Sequence, residues 1–286
     1  MIRLQNVVKS FRRTRVLDGI SLDIEQGDRI ALVGSNGAGK TTMIRCILGE
    51  YTHQGTVDFD GLAPRDNRRT VLKRIGFVPQ ISPPLKMTVS QLMSFAAGIC
   101  DSDAQRMIDV AERLGLPIDE VRNRPFVKLS GGEKQKLLIG IALGRETDLL
   151  IMDEPAANLD PKARQVFFNL LAERKERVSM IISSHRLDEV APLVNRVVEL
   201  DCGRVVLDDH VDDRVDMAGV LNCRVELVKE NEAFASAITG WDFAADESGR
   251  VWTGQLAGPD RLRFLGLLSR YAATLGNIEM KEVERD

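Results

Sequence analysis

Four cysteines stand in this chain of 286 residues, at positions 46, 100, 202 and 223, and none belongs to a C-x-x-C pair. The three histidines, His53, His185 and His210, lie far apart. Both scarcities argue against a structural zinc site and for a reducing compartment. An excess of positive charge is missing too. Basic side chains number 39 and acidic ones 42, a net charge of −3 with a pI near 5.8, so no global field draws the chain to nucleic acid or to an anionic membrane. The basic cluster Arg68, Arg69, Lys73 and Arg74 reads as a solvated helix face. No uninterrupted apolar run approaches the roughly 18 residues of a membrane span, and Met1-Ile2-Arg3-Leu4-Gln5 enters strand-like sequence with no signal peptide. No internal repeat or low-complexity segment is visible. These absences leave a globular chain, expected in the cytosol, with room for one large domain or one large and one small.

What is present centres on Gly34-Ser35-Asn36-Gly37-Ala38-Gly39-Lys40-Thr41-Thr42. It fits G-x-x-x-x-G-K-[ST], follows the apolar run Arg29 to Val33, and continues into Met43 to Leu48 as a helix. Strand, glycine loop and helix in that order make a phosphate cradle. The glycines let backbone N–H groups converge, and the helix dipole adds positive potential. Lys40 would reach the β- and γ-phosphates, and the Thr41 hydroxyl would ligate Mg2+.

A second constellation closes a buried strand at Leu149 to Pro155, which delivers Asp153 and Glu154 at its C-terminal end, the ligand side of an open parallel sheet. Two adjacent acids can divide the work: one holds Mg2+, usually through water, and the other orients and activates an attacking water. Strand Met180 to Ser183 puts His185 just past the same rim, where a phosphate contact is the favoured role. Leu129-Ser130-Gly131-Gly132-Glu133-Lys134-Gln135 opens a helix running to Leu143. Ser130 there is either an N-cap or part of a second anion site. Phe11, at the end of the first strand, reads from spacing as core rather than as a base-stacking ring.

Around these motifs, residues 2–8 and 16–24 read as strands joined by a turn at Arg12-Arg13-Thr14-Arg15. A strand is expected over Gly55 to Gly61, a short basic helix over 67–74 and a strand at Ile75 to Val78, and Thr88 to about Leu143 forms a helical insert. Ile81, Pro83, Pro84, Leu85 and Met87 make an apolar, proline-stiffened loop with little reason to be buried in the same domain. A helix starting at Pro161 is expected to end near Arg177. A hairpin at 195–200 and 204–207 precedes an acidic connector of Asp208, Asp209, Asp212, Asp213 and Asp216. Residues 221–286 then follow the order β-α-β-β-α-β of a ferredoxin-like module: a helix at 231–239, strands near 241–245 and 250–256, a helix from about Pro259 to Tyr271 carrying Phe264, Leu265 and Leu268, and a last strand with Ile278 and Met280.

Gly34 to Thr42, Gln80, Leu129 to Gln135, Leu149 to Pro155, Asn158-Leu159-Asp160 and His185 together resemble the nucleotide-binding subunit of an ABC transporter, over roughly residues 2–207 and with the motifs in the family's order. The resemblance implies an α/β P-loop NTPase fold: a RecA-like core with an antiparallel β subdomain and a helical subdomain. It implies a cassette over 1–210 and a C-terminal accessory α+β domain over 221–286, the latter similar, on strand order alone, to the domain appended to some ABC-2-type exporters. It also implies ATP with Mg2+, a head-to-tail homodimer, integral-membrane partner subunits and a place at the inner face of the cell membrane.

Residue by residue, the resemblance makes Phe11 the adenine-stacking ring, against the reading from spacing, although the family more often has Tyr. Gln80 becomes a contact to Mg2+ and the attacking water beside the membrane subunit, and Glu154 and His185, with Lys40, become the hydrolytic groups. Ser130, Gly131 and Gly132 cap the γ-phosphate of the opposite subunit, and Asp160 crosses the dimer interface. Glu133 departs from the common Gln, and Ala157-Asn158 from a common Ser or Gly; neither removes a catalytic group. Soluble ABC ATPases acting on ribosomes or DNA are the alternative, disfavoured by the single cassette and by the lack of a long coiled coil between Lys40 and Asp153. An accessory ATPase for metalloenzyme or surface-polymer assembly stays open.

Overall fold

The computed structural model describes residues 1–184, 187–210, 220–257, 264, 267–268, 271 and 274–282. The chain divides into two compact units, Met1–His185 with Leu193–His210 and Arg186–Pro192 with Val211–Asp286.

In the first unit, strands β1 (Ile2–Phe11) and β2 (Thr14–Ile24) pair antiparallel from Ile2 opposite Ile24 to Phe11 opposite Thr14. Thr14 and Arg15 thus join β2, and the turn shrinks to Arg12 and Arg13. Ile2, Leu4, Val7, Leu17, Ile20, Leu22 and Ile24 are buried, with exposed neighbours between most of them, as in an antiparallel sheet wet on one face. Strand β3 (Arg29–Val33) leads through the glycine loop into helix α1 (Lys40–Ile47). Strand β4 (Gln54–Phe59) returns to β1 and completes the order β2-β1-β4.

Helix α2 (Arg68–Lys73) and strand β5 (Ile75–Val78) follow. The helical insert comprises α3 (Val89–Cys100), α4 (Ala104–Arg113), α5 (Ile118–Val121), a 3-10 turn at Phe126–Lys128 and α6 (Gly131–Leu143). Side chains fix three of the starts. Thr88 with Gln91 and Ser130 with Glu133 form capping boxes, and Asp103 caps α4, each satisfying N–H groups that a helix leaves unpaired. Val89, Met93, Met107, Ala111, Phe126 and Leu137 build the core of the insert, each large side chain contributing roughly 1.5–3 kcal/mol on burial. Leu85 and Met87 lean partly buried on that core, so the expectation of an apolar loop unneeded by its own domain fails for them. It holds for Ile81, which is 77% exposed.

Strand β6 (Leu149–Asp153) is buried throughout, and α7 (Pro161–Ala172) starts with Pro161 behind the Asp160 cap. The helix stops at Ala172, short of the expected Arg177. There the Arg174 guanidinium donates to the carbonyls of Leu170 (3.0 Å) and Leu143 (3.2 Å), closing helix ends and releasing the chain toward β7 (Ser179–Ser183). After α8 (Leu187–Val190), strands β8 (Arg196–Asp201) and β9 (Arg204–His210) form a hairpin. The sheet order is β5-β6-β7-β3-β8-β9, parallel except for β9. Because β9 reaches His210, Asp208 and Asp209 belong to a strand and not to the connector. Buried Arg196 donates to Asp208 at 2.7 Å and to Asp28 at 2.6 Å; its guanidinium holds the Asp208 carboxyl below the usual range. Asp212, Asp213 and Asp216 lie outside the described residues.

The second unit contains α8 together with β10 (Val220–Leu227), α9 (Glu232–Thr239), β11 (Ala244–Ala245), β12 (Val251–Ala257) and β13 (Leu275–Glu282). Its order, β11-β12-β10-β13, is antiparallel throughout and puts the first and third strands at the centre, the split arrangement expected from the β-α-β-β-α-β order. The strand expected at 241–245 pairs only through Ala244 and Ala245. Much of the helix expected from Pro259 to Tyr271, Leu265 included, lies outside the described residues. Phe264 and Leu268 are helical and buried against Phe234, Phe243 and Trp252.

Candidate nucleotide-binding and hydrolytic site

Parallel register brings the chemistry to one rim. Ser183 ends β7, beside Asp153 on β6 and Leu32 on β3, so the acid pair and the glycine loop leave the same edge of the sheet. Gly34, Gly37 and Gly39 adopt φ of 142°, 88° and 110°. At Gly34 a Cβ would meet the Leu200 carbonyl oxygen at 2.3 Å, and at Gly39 the Leu17 Cδ2 at 2.8 Å. Glycine is therefore required by both conformation and space. Lys40 is buried, its ammonium donating to Gly34 O at 2.6 Å and Ser35 O at 3.2 Å, so a positive charge is held on the loop. Gly39 gives α1 no side-chain cap, leaving the N–H groups of the first turn for an anion.

Thr41 Oγ1 donates to Asp153 Oδ2 at 2.7 Å, and Ser183 Oγ donates to Asp153 Oδ1 at 2.5 Å. Asp153 and Ser183 are both buried. The Thr41 hydroxyl and the Asp153 carboxylate are hard oxygen donors of the kind Mg2+ takes. No group of three or more His, Cys, Asp or Glu able to hold a metal occurs among the described residues. Glu154 takes φ of 50°, and its N–H donates to Ser183 Oγ at 3.0 Å and Ser183 O at 3.2 Å. Sequence reasoning gave Ser183 no role; a hydroxyl closing an otherwise apolar strand was the available signal.

Two bonds tie α6 to the segment after Glu154. Gln135 Nε2 donates to the Pro155 carbonyl at 2.8 Å, and Lys136 Nζ lies 2.9 Å from the Asp160 carboxylate. Lys136, followed by the Ala163 N–H that Asp160 caps, holds the Asp160 carboxyl down to about 2. Ser130 accepts from Glu133 N at 3.2 Å and Glu133 accepts from Ser130 N at 2.7 Å, the N-cap arrangement. The Arg124 guanidinium at 3.0 Å steadies Glu133. Gly131 has open space where a Cβ would stand, and Gly132 approaches the Asn158 carbonyl.

Gln80 follows β5 at the same rim, since Val78 lies beside Met152 of β6. Its side chain is exposed. Phe11 is 41% exposed, edge-on to Tyr51 at 5.2 Å with Lys9 Nζ 4.8 Å from its ring centre. The core reading drawn from its spacing is corrected: β1 ends there, beyond the packed face of the sheet. His185 lies outside the described residues. On the opposite rim a cleft of about 740 Å3 is lined by Arg106, Arg113, Arg145 and Arg174, whose charges go to Glu146, Glu173 and helix-end carbonyls. That cleft is structural.

The family model described as ABC transporter matches residues 17–157. An ABC transporter ATP-binding protein of Methanopyrus kandleri is 36% identical over 204 residues, 68% of this chain and 75% of that one. The methionine import ATP-binding protein MetN of Rhizobium johnstonii is 30% identical over 277 residues, 91% of this chain and 74% of that one. The lantibiotic transport ATP-binding protein SrtF of Streptococcus pyogenes is 29% identical over 232 residues, 79% and 97%. Among solved structures, a dimeric ATP-binding cassette in a post-hydrolysis state with ADP and Pi superposes with a TM-score of 0.64 at 23% identity, covering 74% of this chain and 99% of that one. Sequence and fold place the chain in the ABC transporter family, as an ATP-hydrolysing, ATP-binding subunit.

Proposed function

We propose that two copies of this chain, arranged head to tail, hydrolyse ATP in a Mg2+-dependent reaction and drive export through separate integral-membrane subunits at the inner face of the cell membrane. The observation that carries the reading is the hydrogen-bonded chain Thr41, Asp153, Ser183, Glu154, which starts at the glycine loop and ends at the acid best placed to act on water. Loop N–H groups and Lys40 hold the β- and γ-phosphates, the ammonium exchanging its two loop carbonyls for phosphate oxygens. Thr41, Asp153 and Gln80 would hold Mg2+, which when bound would supply neutralisation of the charge building on the phosphate oxygens. Glu154 orients the attacking water and takes its proton, with Gln80 and His185 completing the site.

Phe11 stacks on the base, and Ser35, Asn36, Ala38 and Thr42 surround the phosphates with their backbone amides and polar side chains. The second copy closes the site with its own Ser130, Gly131 and Gly132, while Asp160 lies along the interface. Residues 221–286 act as a separately folding accessory domain.

Export is supported by the similarity of the tail, on strand order, to the accessory domain of some ABC-2-type exporters. Import is the second reading. The methionine import protein aligns with 91% of this chain, which carries the match past the cassette. Purification of the chain from its native membrane tests the function. Integral-membrane subunits should accompany it, with MgATP hydrolysis that Lys40→Ala abolishes. Full hydrolysis with no membrane partner would refute the transport role, and an external solute-binding protein in the complex would favour import.

A further inference from the structure

We infer that Ser183 is a positioning residue for hydrolysis, one hydroxyl that sets both the metal-side carboxylate and the backbone carrying the base. The inference rests on the hydrolytic reading of Asp153 and Glu154. Ser183 is fully buried at the C-terminal end of β7, between β3 and β6. Its oxygen accepts from Glu154 N at 3.0 Å, so the direction of its own proton is fixed toward Asp153 Oδ1, 2.5 Å away. The other Asp153 oxygen is taken by Thr41 at 2.7 Å. A buried carboxylate with each oxygen held by one hydroxyl cannot rotate, and its plane is set before any ion arrives.

The backbone side of the arrangement is equally specific. Glu154 sits at φ of 50°, a left-handed conformation unfavourable for a residue with a Cβ. Its N–H is anchored twice by the same residue, through Ser183 Oγ and Ser183 O. An alanine at 183 keeps the carbonyl anchor and the strand but removes the hydroxyl, leaving Asp153 Oδ1 buried without its donor and Glu154 N–H with one acceptor. The carboxylate and the base then lose their common reference, while the nucleotide-holding loop and Lys40 are untouched.

Kinetics and metal binding test this together. For Ser183→Ala, kcat should fall roughly tenfold or more with the KM for ATP within about twofold. In the Glu154→Gln background, where nucleotide stays intact, the affinity for Mn2+ measured by electron paramagnetic resonance with ATP bound should weaken by a similar factor, and Ser183→Thr, which retains the hydroxyl, should recover both. The losses from Ser183→Ala and Glu154→Gln in kcat should fall well short of multiplying. Folded Ser183→Ala protein with wild-type kcat and wild-type Mn2+ affinity would overturn the inference and leave the hydrolytic reading intact. A merely structural serine would lower thermal stability alone. Wild-type turnover in Glu154→Gln would overturn the reading itself, and the inference with it.

Discussion

Gln135 donates from the second turn of α6 to the Pro155 carbonyl, 2.8 Å away and one residue past Glu154. Lys136 meets Asp160 at 2.9 Å on the same stretch. The helix that begins at Ser130 is thus fastened to the segment carrying the proposed base, so a phosphate gripped at Ser130 by one copy would report to the hydrolytic acid of that same copy.

The first prediction concerns the membrane contact. Ile81 is 77% exposed and Phe95 on α3 is 54% exposed, whereas Leu85 and Met87 lean on the core of the insert. Ile81→Glu or Phe95→Glu should reduce recovery of the membrane subunits at least severalfold while the isolated subunit keeps its ATPase rate. Undiminished co-purification in both variants would remove this surface from the interface.

Thiol chemistry provides a second check, on the packing of α1. Burial pushes the Cys46 thiol up to about 11, while Cys202 is exposed in the β8–β9 turn. A thiol raised in the folded state favours the fold below the ordinary thiol range, near 8.5, and that contribution is lost as pH climbs through 11. At pH 8 a disulfide reagent should therefore modify Cys202 promptly and Cys46 only after denaturation. Prompt labelling of Cys46 in folded Cys202→Ser protein would contradict the packing.

Much of this was legible beforehand. The glycine loop, the acid pair and the Ser130 N-cap are local patterns, and local patterns survive into structure because adjacent residues enforce them. What was not legible depended on register and on neighbours far along the chain. Ser183 meets Asp153 only because two parallel strands align. Met87 is buried because the insert folds back over it, and Asp208 left the connector because Arg196 holds it in β9. Spacing alone points Phe11 to the core, against the family resemblance, because spacing carries no information about where the sheet's packed face ends.

The third prediction takes the tail. The second unit has a core of its own in Val225, Phe234, Trp252 and Phe264, and we propose that it keeps two copies together when nucleotide is absent. Removing residues 217–286 should leave ATP binding within about twofold and weaken nucleotide-free dimerisation by roughly tenfold or more. An unchanged dimer constant by sedimentation would exclude the dimerising role, and loss of folding would exclude a separate domain.

A fourth prediction addresses the composite site. Lys40→Ala and Ser130→Arg homodimers should each be inactive, but a mixture forms heterodimers in which the intact loop of one chain faces the intact Ser130 of the other. Activity should reappear on mixing, at up to about a quarter of the wild-type rate if the two sites act independently. A mixture as silent as its parents, with ATP binding also absent, would contradict the head-to-tail geometry.

The central claim is that Glu154, aimed by Ser183 and set beside the Thr41–Asp153 pair, activates the water. Glu154→Gln keeps the shape and loses the proton acceptor, so single-turnover hydrolysis of bound ATP measures the claim directly. ATP should bind, the dimer should persist by sedimentation with intact ATP inside, and the rate should fall by about 100-fold or more. Hydrolysis in the mutant at the wild-type rate would place the base elsewhere.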